Sequence, residues 1–141
     1  MTTEIAFHSI TELIVRKSPM QETLQAIVSQ TLKQEEFALA RIWLIDKGDI
    51  CDSCVMRPEC PNQELCLHLT ASVGKSRAGE KVWTDADGNF KRFPIGVRKI
   101  GYVAESGKSV YLDNLQTTKN AWIVREDWIK AEKIEGFAAH P

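Results

Sequence analysis

The chain has 141 residues, a formal net charge of −1 and 43% apolar residues, the size and composition of one globular domain. These values argue against a disordered, collagen-like or coiled-coil chain and leave no length for a second catalytic domain. The near-neutral charge gives no general attraction to nucleic acid or to an anionic membrane, so neither is expected as a direct partner. The polar start is unlike a signal peptide and no apolar run reaches the roughly 18 residues of a membrane helix, so a cytoplasmic location is expected.

Two amphipathic helices are predicted ahead of any strand. Residues 3–16 place apolar side chains at helical spacing. A second helix start follows, with Ser18 as the N-cap, Pro19 at the first helical position and Gln21 placed to close a capping box. Residues 1–36 are therefore expected to form a helical N-terminal segment.

The middle of the chain has the alternation of apolar and polar residues that is typical of strands. Residues 38–45 are apolar on both faces, which predicts a central strand. A second strand is predicted over residues 65–73 and ends at Gly74. The next segment, residues 75–99, is polar and rich in turn residues, and no element is assigned to it.

The last third of the chain predicts a mixture of short helices and strands. Residues 101–107 suit a short helix closed by a C-cap glycine, and residues 108–112 then alternate as a strand. A third helix is predicted over residues 121–130, and an apolar segment begins at residues 136–141. With no internal repeat or linker, the pattern favours one α+β domain.

Two short motifs in this last third resemble the GAF sensor domain. They are RFPIG at residues 92–96 and IGYVAESGKSV at residues 100–110, followed by Asp113. The predicted elements around them fall in the GAF order, so the resemblance covers residues 1–141 as a single domain. It implies an antiparallel, profilin- or PAS-like sheet flanked by the N-terminal helices. Because further strands and a closing helix follow the segment resembling residues 136–141 in a complete GAF domain, the resemblance also implies that C-terminal strands are missing.

The resemblance implies a function as well as a fold. GAF domains are mostly non-catalytic sensors in bacterial signal transduction and transcription regulation, and they bind a small molecule between the sheet and its covering loops. The signal passes to an output domain, such as that of a histidine kinase or an enhancer-binding activator. The N-terminal helices are expected to pair in a homodimer.

All four cysteines of the chain lie within sixteen residues, in the pattern Cys51-x2-Cys54-x5-Cys60-x5-Cys66. They fall between two predicted strands, so residues 46–66 are expected to form a cysteine-rich hairpin loop. A Cys-x2-Cys turn presents two sulfurs to one metal, and two more complete the tetrahedral set that zinc or an iron–sulfur cluster favours. The pattern predicts that the four cysteines bind one metal centre and leaves open whether it is zinc or an iron–sulfur cluster.

Two other uses of the cysteines stay open. They could be small core residues, although the loop holds hydrophilic residues such as Asp52 and Asn62. They could also form a metal-free redox switch, with Cys51 and Cys54 as one reversible pair, although a reducing cytosol disfavours lasting disulfides.

Charge around the loop constrains a metal centre. Residues 46–66 hold five acidic residues against Lys47 and Arg57, and four thiolates on a divalent ion add a charge of about −2. Arg57 is therefore predicted to screen the site. His68 is a candidate replacement ligand or hydrogen-bond donor to a ligand, but a half-buried strand histidine is the simpler interpretation.

A small-molecule site is a further candidate. Residues 75–99 hold seven basic residues against three acidic ones, which suits a solvated loop or an anion-binding lid. The side chains proposed for the lid and its pocket combine cations with aromatic rings: Arg92, Arg98, Lys99, Trp83, Phe93 and Tyr102.

An enzyme is the remaining alternative. The free methionine-sulfoxide reductases are GAF-like and use cysteines, but those cysteines lie at positions resembling Tyr102 and the region before Gly136. This chain has no cysteine there, so no enzymatic activity is expected.

Overall fold

The computed structural model describes residues 2–33, 36–77, 79–84, 88–117 and 124–141, with the backbone alone for residues 2–7. Its elements in chain order are α1 (Thr2–Val15), α2 (Met20–Leu32), β1 (Leu39–Lys47), a 3-10 turn (Arg57–Glu59), β2 (Leu65–Gly74), β3 (Arg92–Pro94), α3 (Arg98–Ser106), β4 (Val110–Leu112), α4 (Glu126–Ala131) and β5 (Phe137–Ala139). The strands pair antiparallel, which confirms the predicted α+β class. In these ranges no helix is long and apolar enough to cross a membrane.

The two N-terminal helices form as predicted, but α2 does not begin with a capping box. Pro19 is itself the N-cap, and no side chain caps the helix, so the assignment of Ser18 as N-cap is wrong. Gln21 instead donates its side-chain amide to the carbonyl of Thr70 in β2. The helix packs on β2. Because the Gln21 side chain is used in this tertiary contact, it is not available for a local cap.

Strands β1 and β2 form a long antiparallel hairpin, as the sequence predicted. The register runs from Leu39 opposite Gly74 to Lys47 opposite Leu65, with a bulge at Trp43. Strand order is β1-β2-β3, so among the described residues β2 is the middle strand and the central position predicted for residues 38–45 is wrong. Helix α2 contacts β1 and Trp43 packs against a core cluster. These contacts cover residues of β1 in part, Trp43 among them, and account for the apolar sequence of an edge strand.

Strand β3 lies in the segment to which no element was assigned. It pairs with the beginning of β2, placing Phe93 opposite Leu67. These two side chains and Met56 form a buried core cluster. Since Met56 belongs to the connection between β1 and β2, this cluster fastens that connection onto the sheet.

Helix α3 confirms the predicted short helix, beginning three residues earlier. Gly107 closes it with φ of +64°, a left-handed conformation that favours glycine. At Gly101 a Cβ atom would lie 2.5 Å from the carbonyl oxygen of Pro94, so only glycine allows α3 to approach β3 this closely.

The last elements form a second, smaller unit of the core. Strands β4 and β5 pair with each other, and Leu115 and Ile129 pack beside them. Helix α4 begins only at Glu126, so residues 124 and 125 of the predicted third helix are not helical. Residues 121–123 of that prediction lie outside the described residues.

Candidate metal centre

The hairpin brings the four cysteines to one end of the sheet. Residues 48–64 connect β1 to β2, and Cys66 is the second residue of β2. The backbone N–H of Gly48 donates to the carbonyl of Glu64 at 2.9 Å, which holds the two ends of the connection together. Cys51, near its start, therefore lies on the same side of the molecule as Cys66.

The connection, residues 48–64, is called here the cysteine loop. Its apolar residue Met56 packs the loop against the sheet. Met56 is 2% exposed and packs against Leu67 and Phe93. Cys54 packs against the same cluster. The 3-10 turn that follows has a proline in its first turn, which restricts the backbone leading to Cys60.

A small cavity lies between the cysteine loop and the strands. Its volume is about 20 Å³, and Cys51, Cys54, Cys60 and Cys66 all line it. A cavity of this size admits roughly one water-sized species. Charged and aromatic side chains complete the wall, among them Asp49, Arg57, Arg92 and Phe93.

The sulfur atoms are not gathered into a finished coordination set. All four cysteines are free thiols. Cys51 Sγ donates to the carbonyl of Gln63 at 3.6 Å and Cys60 Sγ to that of Asn62 at 2.6 Å. Among the residues described, no three His, Cys, Asp or Glu side chains are grouped so as to hold an ion. Binding a metal would require these thiols to leave their carbonyl partners and turn into the cavity.

The Cys66 thiol has a perturbed acidity. Burial raises its pKa to about 11, and Arg92 opposes that shift, while Asp49, Cys51 and Cys54 add to it. Arg92, Asp49, Cys51 and Cys54 line the same cavity as Cys66. As a free thiol Cys66 is protonated at neutral pH, so its sulfur is a weak nucleophile until a cation replaces the proton.

Three arginines hold acidic residues of the cysteine loop. Arg92 donates from Nε and Nη2 to the two oxygens of Asp49, at 2.7 Å each. This hydrogen bonding lowers the pKa of Asp49 to about 2. Arg57 pairs with Asp52 at 2.7 Å. The three pairs are Arg92–Asp49, Arg98–Glu59 and Arg57–Asp52.

The residues predicted for an anion-binding lid and its pocket make several different contacts. Arg92 and Phe93 line the cysteine cavity, and the Arg98 guanidinium lies 5.8 Å from the centre of the Phe93 ring. Trp83 instead packs edge-on against Trp128, with the two ring centres 5.5 Å apart. The further members are Lys99, whose ammonium lies over the Phe137 ring, and Tyr102, which is half-buried in α3. The arginines thus bind carboxylates of this chain.

His68 has the simpler of its two predicted roles. It is a half-buried strand residue whose Nε2 lies 2.9 Å from the carbonyl of Lys47 and 4.0 Å from Asp49. It is not among the residues that line the cavity.

Comparison of the chain with protein-family models, with curated proteins and with solved structures finds no match. What can be inferred about its function therefore rests on the cavity, its four cysteines and the ion pairs around them.

Proposed function

We propose that the chain is a metal-binding regulatory domain in which Cys51, Cys54, Cys60 and Cys66 hold one metal centre. The observation that carries this proposal is that all four cysteines of the chain line a single cavity. Thiols placed only for packing have no reason to share one small cavity at the end of a sheet.

The donor set and its surroundings suit a divalent ion. Four thiolates form the tetrahedral set that zinc prefers, and together with the ion they carry a charge of about −2. Arg57 and Arg92 both line the cavity, and each is paired with a carboxylate of the loop, Asp52 and Asp49, so its positive charge is shared between that carboxylate and the thiolates. The sequence identified Arg57 for this role, and Arg92 adds a second cation from β3.

The small cavity is the reason for proposing zinc ahead of an iron–sulfur cluster or an organic ligand. As it stands, a space of about 20 Å³ holds one water-sized species. Zinc at these cysteines would fasten the two arms of the cysteine loop together and add its binding free energy to the folded state.

A metal-free redox switch is less well supported. Such a switch needs an accessible thiolate at neutral pH. Cys66 is half-buried with a raised pKa, so Cys66 as a metal-free thiol is a poor partner for disulfide exchange, and such a switch would have to use the Cys51 and Cys54 pair.

The regulatory part of the proposal rests on the GAF resemblance. It is supported by an antiparallel sheet preceded by two helices and by the short helix that Gly107 ends. Ile14, Val15 and Met20 expose apolar side chains near the end of α1 and the start of α2, which supports pairing of these helices in a homodimer. The proposed partner is an output module such as a histidine kinase or an enhancer-binding activator.

Anaerobic purification followed by metal analysis, a visible spectrum and thiol titration tests the metal centre. We expect one zinc per chain, no visible absorption and four thiols that react only after the ion is chelated. The variant Val55→Ser changes a half-exposed residue of the same loop and should bind the same amount of zinc as the wild type. The presence of iron and acid-labile sulfide would contradict zinc as the metal and would leave the four-cysteine metal centre standing. A metal-free protein with four readily titrated thiols would overturn the proposal.

A further inference from the structure

Two ion pairs join the cysteine loop to the segment that contains β3 and α3. Arg92 of β3 holds Asp49 through two hydrogen bonds of 2.7 Å. Arg98, the first residue of α3, holds Glu59 through hydrogen bonds of 2.6 and 3.2 Å. Each guanidinium donates to both oxygens of its carboxylate. Two parallel hydrogen bonds of this kind fix the orientation of the carboxylate as well as its distance from the guanidinium.

The two acidic residues lie next to proposed ligands. Asp49 is two residues before Cys51, and Glu59 immediately precedes Cys60. The pairs therefore hold the two arms of the cysteine loop close to two of the proposed ligands, Cys51 and Cys60.

The arginines belong to a stiff segment. Gly101 of α3 lies so close to β3 that a Cβ there would be 2.5 Å from the carbonyl of Pro94. The backbone N–H of Gly96 also donates to the carbonyl of Gly101 at 2.8 Å. Because this contact is tight, α3 should move together with β3.

Arg98 also has a strained backbone. Its φ is +53°, in the left-handed region that residues other than glycine rarely occupy. Its side chain pairs with Glu59 and lies over the Phe93 ring. Release of the Glu59 contact would remove one of the interactions that hold the first turn of α3 in this conformation.

We propose that Arg92 and Arg98 are positioning residues that transmit the occupancy of the metal centre from the cysteine loop to α3. This inference rests on the proposed function. With the metal bound, the loop presents Asp49 and Glu59 in fixed positions and the start of α3 is held. Without the metal, both carboxylates gain freedom, and the amides at the start of α3 open more often.

Arg98 gives the cleaner test of the two. Arg92 lines the cavity, so its substitution would alter metal binding directly. Arg98 does not line it, and its partner Glu59 is 45% exposed. A partly exposed pair of this kind changes a local opening equilibrium by up to about fivefold.

Hydrogen–deuterium exchange of the full chain, with and without zinc, measures the coupling. The reduced chain is stripped with a chelator and loaded anaerobically with one equivalent of Zn²⁺, and native mass spectrometry reads the stoichiometry separately. In the wild type, zinc should slow exchange both in residues 48–64 and in residues 98–106. In Arg98→Gln, zinc should still bind and protect residues 48–64, while its effect on residues 98–106 should fall below the wild-type effect, the remainder being passed through Arg92 and β3.

Two variants complete the design. Glu59→Gln removes the same pair from the loop side and should give the same loss, which keeps the test available if Arg98→Gln does not fold. Arg125→Gln is the control, because it breaks an exposed pair with Asp127 and should keep the wild-type response. A purely structural role for Arg98 would change exchange equally with and without zinc.

The outcomes separate the two proposals. If the wild-type chain binds no zinc, the metal site and the coupling both fail. If zinc binds but leaves exchange in residues 98–106 unchanged, the metal site stands and the coupling is contradicted. Full zinc-dependent protection in both Arg98→Gln and Glu59→Gln would contradict it as well.

Discussion

Arg92 in β3 grips Asp49 at the start of the cysteine loop with two hydrogen bonds of 2.7 Å, joining residues 43 positions apart in the chain. The Arg92 side chain is only 19% exposed and also lines the cavity. One residue therefore positions the loop and places a positive charge beside the four thiols.

Substitution of Arg92 tests its contribution to metal binding. Arg92→Gln removes the charge that compensates the thiolates and the grip on Asp49, so zinc affinity should fall by about tenfold, as for other residues that support metal ligands. Competition with a chromophoric chelator measures it, and Arg125→Gln is the control. An unchanged zinc affinity would show that Arg92 does not support the site.

Met56 and Val55 are neighbours with opposite environments. Met56 is 2% exposed in the core cluster, while Val55 is 50% exposed. Met56→Ala should lower the free energy of unfolding by about 2 to 5 kcal/mol, and Val55→Ala by no more than about 0.5 kcal/mol. Urea unfolding of the metal-free chain measures both, and equal effects would contradict the packing of the cysteine loop on the sheet.

Much of the fold follows from the sequence because local patterns determine it. The two N-terminal helices, the hairpin of β1 and β2 and the helix ended by Gly107 each have a periodicity or a terminating glycine in one short stretch. Strand β3 could not be predicted in this way, since it has three residues and forms only by pairing with β2. The capping role of Gln21 fails for the same reason, because its side chain bonds to a strand 49 residues away.

The candidate site, like the fold, could be predicted only where its signal lies in one short stretch of sequence. The spacing of the four cysteines is a local signal, and it led to the group of residues that line one cavity. The contacts of Asp49 and Glu59 with arginines about 40 residues later carry no local signal. The positive charge of residues 75–99 suited a solvated loop or an anion-binding lid, whereas Arg92 and Arg98 bind carboxylates of the same chain.

Alkylation of Cys66 in the metal-free chain should depend on pH in a distinctive way. Because burial raises its pKa to about 11, the reactive thiolate increases about tenfold per pH unit until the pH approaches that value. In the urea-unfolded chain the rate should level off near the ordinary pKa of about 8.5. Iodoacetamide labelling with peptide mass spectrometry follows Cys66 alone. The same plateau in both states would refute the buried environment of this thiol.

Gly101 should not tolerate a side chain. An alanine Cβ there would lie 2.5 Å from the carbonyl of Pro94, whereas at Gly79 nothing lies within 4 Å of the corresponding position. Gly101→Ala should therefore destabilise the chain by about 1 to 3 kcal/mol, and Gly79→Ala should have little effect. Thermal unfolding compares the two, and a stable Gly101→Ala variant would contradict the close contact of α3 with β3.

The most direct test of the central claim is X-ray absorption at the metal edge of the anaerobically purified chain. We expect zinc surrounded by four sulfur atoms at about 2.3 Å, and three sulfurs with one oxygen or nitrogen in Cys66→Ser. Fewer than four sulfurs in the wild type, or the same ligand set in Cys66→Ser, would contradict a single centre held by Cys51, Cys54, Cys60 and Cys66.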